Sequence, residues 1–207
     1  MTDAVPALLA TELSAPDRLA LAYAPRETRG RWTALLALDR RLGRAALHAS
    51  EPMLGQLRLA WWRDRFRSPA SAWPAGEPLL AALAPFDAER GALEALVDAW
   101  EALIGGAPEA SAVAALSRAR AAALLALARV LACDAPPTAV EALAHRWTLG
   151  ELAPDALDDR VPVPPGLPRA MRPLPILAEL AADRGAQGLR ERMRGLLRII
   201  RLGMTGR

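Results

Sequence analysis

Ser50-Glu51-Pro52-Met53-Leu54-Gly55-Gln56-Leu57-Arg58-Leu59-Ala60-Trp61-Trp62-Arg63-Asp64 reads as the opening turns of a helix. Ser50 and Glu51 precede a proline, whose fixed φ and missing N–H suit the first helical position. Leu54, Leu57 and Trp61 fall at i, i+3 and i+7, which predicts one buried stripe. Arg58, Trp62 and Arg65 make a second face on which a guanidinium can lie against an indole. Consecutive helical residues point about 100° apart, so Trp61 and Trp62 are not expected to share a pocket wall.

The same periodicity continues on both sides. Alanine and leucine, strong helix formers, recur at helical spacing, and no segment alternates with period two. Prolines punctuate the joints. The spacing predicts a lead helix over 3–12, a Ser14-capped helix with Pro16 and Asp17 in its first turn ending near Ala24, and a long helix from Pro25 to Ala49. The quoted helix then runs to Arg67, and helices follow over 79–84, 87–104, 109–133, 138–152, 174–183 and 186–202. Residues 68–78 read as loop. So does Pro154–Pro175, whose seven prolines each remove an N–H. The expectation is an all-α chain forming a single helical bundle, one domain over residues 1–207.

Composition narrows the chemistry. The chain has 207 residues, 53 % hydrophobic and 24 % charged, enough to build a core. Its 26 basic residues are all arginine and hold their charge at any accessible pH, giving a net +3 and a pI near 10.2. Cys133 is the single cysteine, which excludes an internal disulfide and a thiolate cluster; with only His48 and His145 beside it, no metal site is expected. No uninterrupted apolar run reaches 18 residues, so no spanning helix is expected. Asp3 stands where a signal peptide needs positive charge. These features predict a reduced, cytoplasmic protein.

Few residues suggest catalysis. Cys133 lies at a helix end, where the negative dipole end raises a thiol pKa. His48 and His145 read as structural. Gly105-Gly106 lacks the lysine of a phosphate loop. Aromatics are 4 % and do not alternate with basic residues, so no nucleic acid is expected. Toward the C-terminus, Leu189, Met193, Leu196, Leu197 and Ile200 form an apolar face. Arg190, Arg194, Arg198 and Arg201 form an adjacent basic stripe, which suits a membrane surface or an acidic protein partner, with peripheral attachment to the inner face of the membrane.

The run Ser50–Asp64 resembles the signature S-E-P-x-L-G-x-I-R-L-x-W-W-R-[DE] of the squalene/phytoene synthase family, particularly the branch that includes the mitochondrial complex I assembly factor. Ser50, Glu51, Pro52, Leu54, Gly55, Arg58, Trp61, Trp62, Arg63 and Asp64 carry it. Upstream, Ala24-Pro25, Arg29, Arg31 and Ala34–Leu38 are similar to the family's P…R…A-L-Y-A-F helix. The resemblance implies a shortened bundle of the isoprenoid-synthase type. It also implies head-to-head condensation of two prenyl diphosphates, with two aspartate-rich motifs holding the magnesium ions that neutralise the leaving diphosphate.

Aligned without gaps, the first aspartate motif falls on Gly43, Arg44 and Leu47. None of these offers a carboxylate, and Arg44 places a fixed cation where a metal would sit. Asp39, one turn earlier, is expected to pair with Arg40 or Arg44 on the helix surface. Asp155 and Asp159 have the spacing of a second motif, but Pro154 and the following prolines allow a single turn there. The expectation is a degenerate relative without prenyl transfer, with no catalytic residue and no cofactor, serving as a binding or assembly factor near a respiratory complex or the isoprenoid pathway, with a prenyl lipid among its candidate partners. The alternative is an active prenyl-diphosphate transferase whose magnesium site is rebuilt from Asp39, Asp64 or the 155–159 cluster.

Overall fold

The computed structural model describes residues 8–157 and 166–183. Among them are eight α-helices and no strand: α1 (Ala15–Ala22), α2 (Arg29–Leu47), α3 (Pro52–Arg67), α4 (Pro78–Leu83), α5 (Arg90–Glu101), α6 (Ala110–Val130), α7 (Pro137–Leu152) and α8 (Pro173–Asp183). This is the all-α bundle expected of an isoprenoid-synthase type. Of the lead helix over 3–12, residues 8–10 are helical and residues 3–7 lie outside the described residues. The helix expected over 186–202 lies wholly outside them.

Local chemistry places most boundaries. Ser14 and Asp17 form a reciprocal capping box, each side chain bonding the other's backbone N–H. The next helix begins at Arg29, a turn later than Pro25. Thr28 closes that turn by donating both its N–H and its hydroxyl to the Pro25 carbonyl, at 3.0 and 2.9 Å. Residues 84–89, partly counted with the following helix in the sequence reading, form a 3-10 turn after Pro85 rather than α-helix. Pro173 starts α8 inside the segment expected to be loop, in keeping with proline's tolerance of the first turn.

α2 is the hub. It packs against α1, α3, α4, α5 and α6, and twelve of its nineteen residues are buried. Its first turn is tied to the turn before α8 by the fully buried Trp32, whose Nε1 donates to the Ala170 carbonyl at 2.8 Å. α7 lies between α6 and α8, α5 bridges α3 and α6, and α1 lies on α8.

α3 turns a different face inward from the one expected. Gly55, Leu59, Trp62 and Phe66 are buried, while Leu54, Leu57 and Trp61 are exposed. Gly55 decides this. A Cβ there would lie 2.6 Å from the Ala45 carbonyl oxygen, so α2 and α3 meet at a close approach open to glycine alone. The stripe at i, i+4, i+7 and i+11 from that glycine is therefore the core stripe.

α6 is long and apolar enough to cross a membrane by length and composition, with a mean hydropathy of 1.4 over its most apolar window. This corrects the expectation drawn from uninterrupted runs. Of that window 56 % is buried against the other helices.

Candidate functional site

The interior of the bundle is filled by ions and indoles. Arg120, in the middle of α6, is 1 % exposed. It donates to both Asp39 oxygens on α2, from Nε at 3.1 Å and Nη2 at 2.8 Å, and to Glu151 on α7 at 2.8 Å. Arg40 extends the chain, reaching Glu151 at 2.8 Å and Asp17 through two bonds of 2.8 and 2.7 Å. Five charged groups from α1, α2, α6 and α7 thus alternate in sign from Asp17 to Asp39. The Arg120 guanidinium lies 4.0 Å from the centre of the Trp147 ring and 5.2 Å from that of Trp100. Trp100 also donates its Nε1 to Asp39 at 3.0 Å.

Burial of such a set is tolerated because every charge faces an opposite one at hydrogen-bond distance. Burial by itself pushes Glu151 up, yet Arg120 and Arg40 outweigh it and hold the carboxyl at about 2. The same carboxylates push both guanidinium pKa values above the ordinary arginine range, against the effect of burial.

This arrangement overturns the surface role expected of Asp39. Asp39 is 2 % exposed and pairs with Arg120, 81 positions away in sequence. Gly43, one turn on, lies under Trp100: a Cβ there would meet the indole at 3.1 Å. The position aligned with the first metal-binding aspartate is occupied by a neighbouring ring. Arg44 points outward to Glu12 at 2.8 Å, and Leu47 is exposed. These residues do not fit a magnesium ion, for two lack oxygen and the third is cationic. Among the described residues, no three His, Cys, Asp or Glu side chains converge as a metal-binding group. Asp155 is exposed in a 3-10 turn, Asp64 is exposed on α3, and Asp159 lies outside the described residues.

Beside Arg120, a cavity of about 10 Å³ lies between Leu36, Asp39, Leu124 and Trp147. Pockets for organic ligands run to about 300–1,000 Å³. This one holds roughly a water molecule.

The signature residues meet elsewhere, at the surface. An open groove of about 750 Å³ runs between α2 and α3, lined by Glu12, Arg41, Arg44, Ala45, His48, Leu57, Arg58, Trp61 and Trp62. Contrary to the expectation from their 100° separation, Trp61 and Trp62 both line it, packed edge to face with centroids 4.9 Å apart. Neither does Trp62 belong to an outer face with Arg58 and Arg65. It is buried, with Phe66 stacked on it at 5.8 Å and Arg41 5.9 Å above its ring, while Arg65 lies over Trp61 at 5.8 Å. Glu12 ties Arg41 and Arg44 together. Burial raises its pKa, and the two arginines more than reverse this. Arg63 turns to the other side of α3 and pairs with Asp98, at 2.6 Å, and with Glu101. Ser50, Glu51 and Pro52 are exposed at the helix start, and Glu51 makes no side-chain cap.

Of the remaining candidates, Cys133 has a raised thiol pKa, from burial and then from Asp134, as expected of an unreactive thiol. His145 shares a 3.2 Å hydrogen bond with Ser117. Arg190, Arg194, Arg198 and Arg201 lie outside the described residues. The sequence reading gave no role to Arg120, Glu151 or Trp100, and took Arg146-Trp147 only as a loose match to the family. The signal for the first was present: an arginine flanked by alanine on both sides within α6 must face a partner if its side of the helix is inward.

Neither the curated proteins nor the solved structures contain a match to the chain. A family comparison does find one, over the segment that runs from the start of α1 past the end of α5 and includes the signature helix. Residues 17–106 match the squalene/phytoene synthase family.

Proposed function

We propose that the chain is a non-catalytic relative of the squalene/phytoene synthases, which binds or assembles other components instead of condensing prenyl diphosphates. One observation carries the reading: the Trp100 ring covers Gly43 where the first aspartate of a metal motif would stand. The ionic chain through Arg120 supports it, because Asp39, one turn before Gly43, and Glu151 on α7 are already paired with arginines. A diphosphate leaves only when its charge is countered by hard cations on oxygen ligands, and no such set is assembled among the described residues. By resemblance to the branch with the complex I assembly factor, the proposed setting is respiratory-complex assembly or isoprenoid handling, at a cytoplasm-facing membrane surface. The C-terminal arginines are the proposed contact to an acidic partner.

The test is turnover. Purified full-length protein, given farnesyl or geranylgeranyl diphosphate with magnesium, is expected to release no pyrophosphate and form no hydrocarbon product. Product formation above a protein-free control overturns the reading, and Asp155→Ala with Asp159→Ala then tests the second cluster as its ligand source.

A further inference from the structure

Met53, Leu57 and Trp61 stand one turn apart along the outer side of α3. They are 67, 62 and 39 % exposed, and Leu54 and Leu47 extend the apolar patch on either side of the α2–α3 joint. A contiguous exposed ridge of this kind marks an interaction surface. Along one edge the ridge falls into the groove, whose lining holds Arg41, Arg44, Arg58 and His48 with one acid, Glu12, while Arg41 also pairs with Glu77 beyond the lining. That acid is engaged by Arg41 and Arg44, yet the Arg44 side chain stays half exposed, so Arg58 and Arg44 are the exposed cations next to the ridge. Glu51 and Asp64, the acids of this stretch, stand at its two ends and outside the groove lining.

We propose that this face of α3 docks on an anionic phospholipid surface, with Met53, Leu57 and Trp61 entering the interfacial layer and Arg44 and Arg58 meeting lipid phosphates. The physics of each part is general. Tryptophan and leucine on a projecting helix partition into the headgroup boundary, and flanking arginines add attraction to anionic lipid. Charge also selects the occupant. The chain's own residues 184–207 carry seven arginines and one glutamate, and like charge repels them from the arginines of the groove. The inference is independent of whether prenyl transfer is lost, because none of these side chains belongs to the buried ionic chain.

Co-sedimentation of the full-length protein with vesicles of phosphatidylcholine, with and without phosphatidylglycerol, tests it. The parent protein is expected to partition onto the anionic vesicles and to be released by salt. Arg58→Gln should weaken partitioning about fivefold, the effect of about 1 kcal/mol per charge near such a surface. Met53→Gln with Leu57→Gln should weaken it about tenfold or more, with an unchanged Tm showing that the fold is intact. Equal binding to neutral vesicles, or no binding by the parent, overturns the proposal. So does a pattern in which the α3 variants bind like the parent while Arg194→Gln, Arg198→Gln and Arg201→Gln together abolish binding. Concentration-dependent dimerisation that disappears in the Met53/Leu57 variant also overturns it, making the face a contact between two copies.

Discussion

The interior around Arg120 and the groove beside Trp61 differ in almost every physical respect. The first is closely packed, with oppositely charged groups from four helices at hydrogen-bond distance. The second is open and carries a surplus of arginine next to uncovered apolar side chains. Three of the signature residues, Arg58, Trp61 and Trp62, line the groove, whereas Gly43 and the carboxylates Asp39 and Glu151 lie in or beside the packed interior. The likeness to the family and the chemistry of the metal-motif positions are therefore read from neighbouring but different helices, and a well-matched signature helix says little about positions one helix away.

The two regions should respond oppositely to substitution. The largest effect is expected at Arg120. Arg120→Ala leaves Asp39 and Glu151 buried without their shared cation and should cost about 3–5 kcal/mol in urea unfolding. A cost below about 1 kcal/mol would mean that water or a rearranged partner reaches the interior.

Acid probes the same network without mutation. Glu151 is held at about 2 against an ordinary 4.5, so its folded form binds protons more weakly than its unfolded form. The stability this confers is complete above about pH 4.5 and is lost as pH falls toward 2, amounting to about 3 kcal/mol at 1.36 kcal/mol per pKa unit. Urea midpoints measured at descending pH should fall in that window, and Glu151→Gln should flatten the slope. An unchanged slope in the variant would assign the acid sensitivity to other paired carboxylates, such as Glu12.

Intermediate effects are expected where glycine permits contact. Gly43→Asp restores a carboxylate to the motif position but drives its Cβ against Trp100. It should lose about 1–3 kcal/mol and gain no magnesium-dependent stabilisation. Gly55→Ala should lose a similar amount or more, since the obstacle there is the Ala45 backbone, which cannot swing aside as a ring can. The smallest effect belongs to the groove side. Leu57→Gln, at an exposed position on the groove side of α3, should change stability by no more than about 0.5 kcal/mol.

Much of the fold is legible in the sequence because helix chemistry is local. Ser14 with Asp17, the prolines at 52, 78, 137 and 173, and the alanine-leucine periodicity mark seven of the eight starts within a few residues. The orientation of α3 was not legible from hydrophobicity, since Leu54, Leu57 and Trp61 make as good a stripe as Leu59, Trp62 and Phe66. Only the steric demand at Gly55, a tertiary fact, separates them. The loss of oxygen ligands at 43, 44 and 47 could be read directly. Its structural counterpart could not, because Asp39, Arg120 and Glu151 are brought together over 81 and 31 positions of sequence.

The most direct measurement is a thermal-shift titration of the full-length protein with farnesyl diphosphate, with and without magnesium. A ligand present at about 100 times its dissociation constant stabilises a native state by about 2.7 kcal/mol, several degrees in Tm for a chain of this size. With Trp100 over Gly43 and arginines on the interior carboxylates, the Tm is expected to show no magnesium-dependent rise. A rise of several degrees that requires both magnesium and the diphosphate would contradict the packed ionic interior and place a working metal site within the bundle.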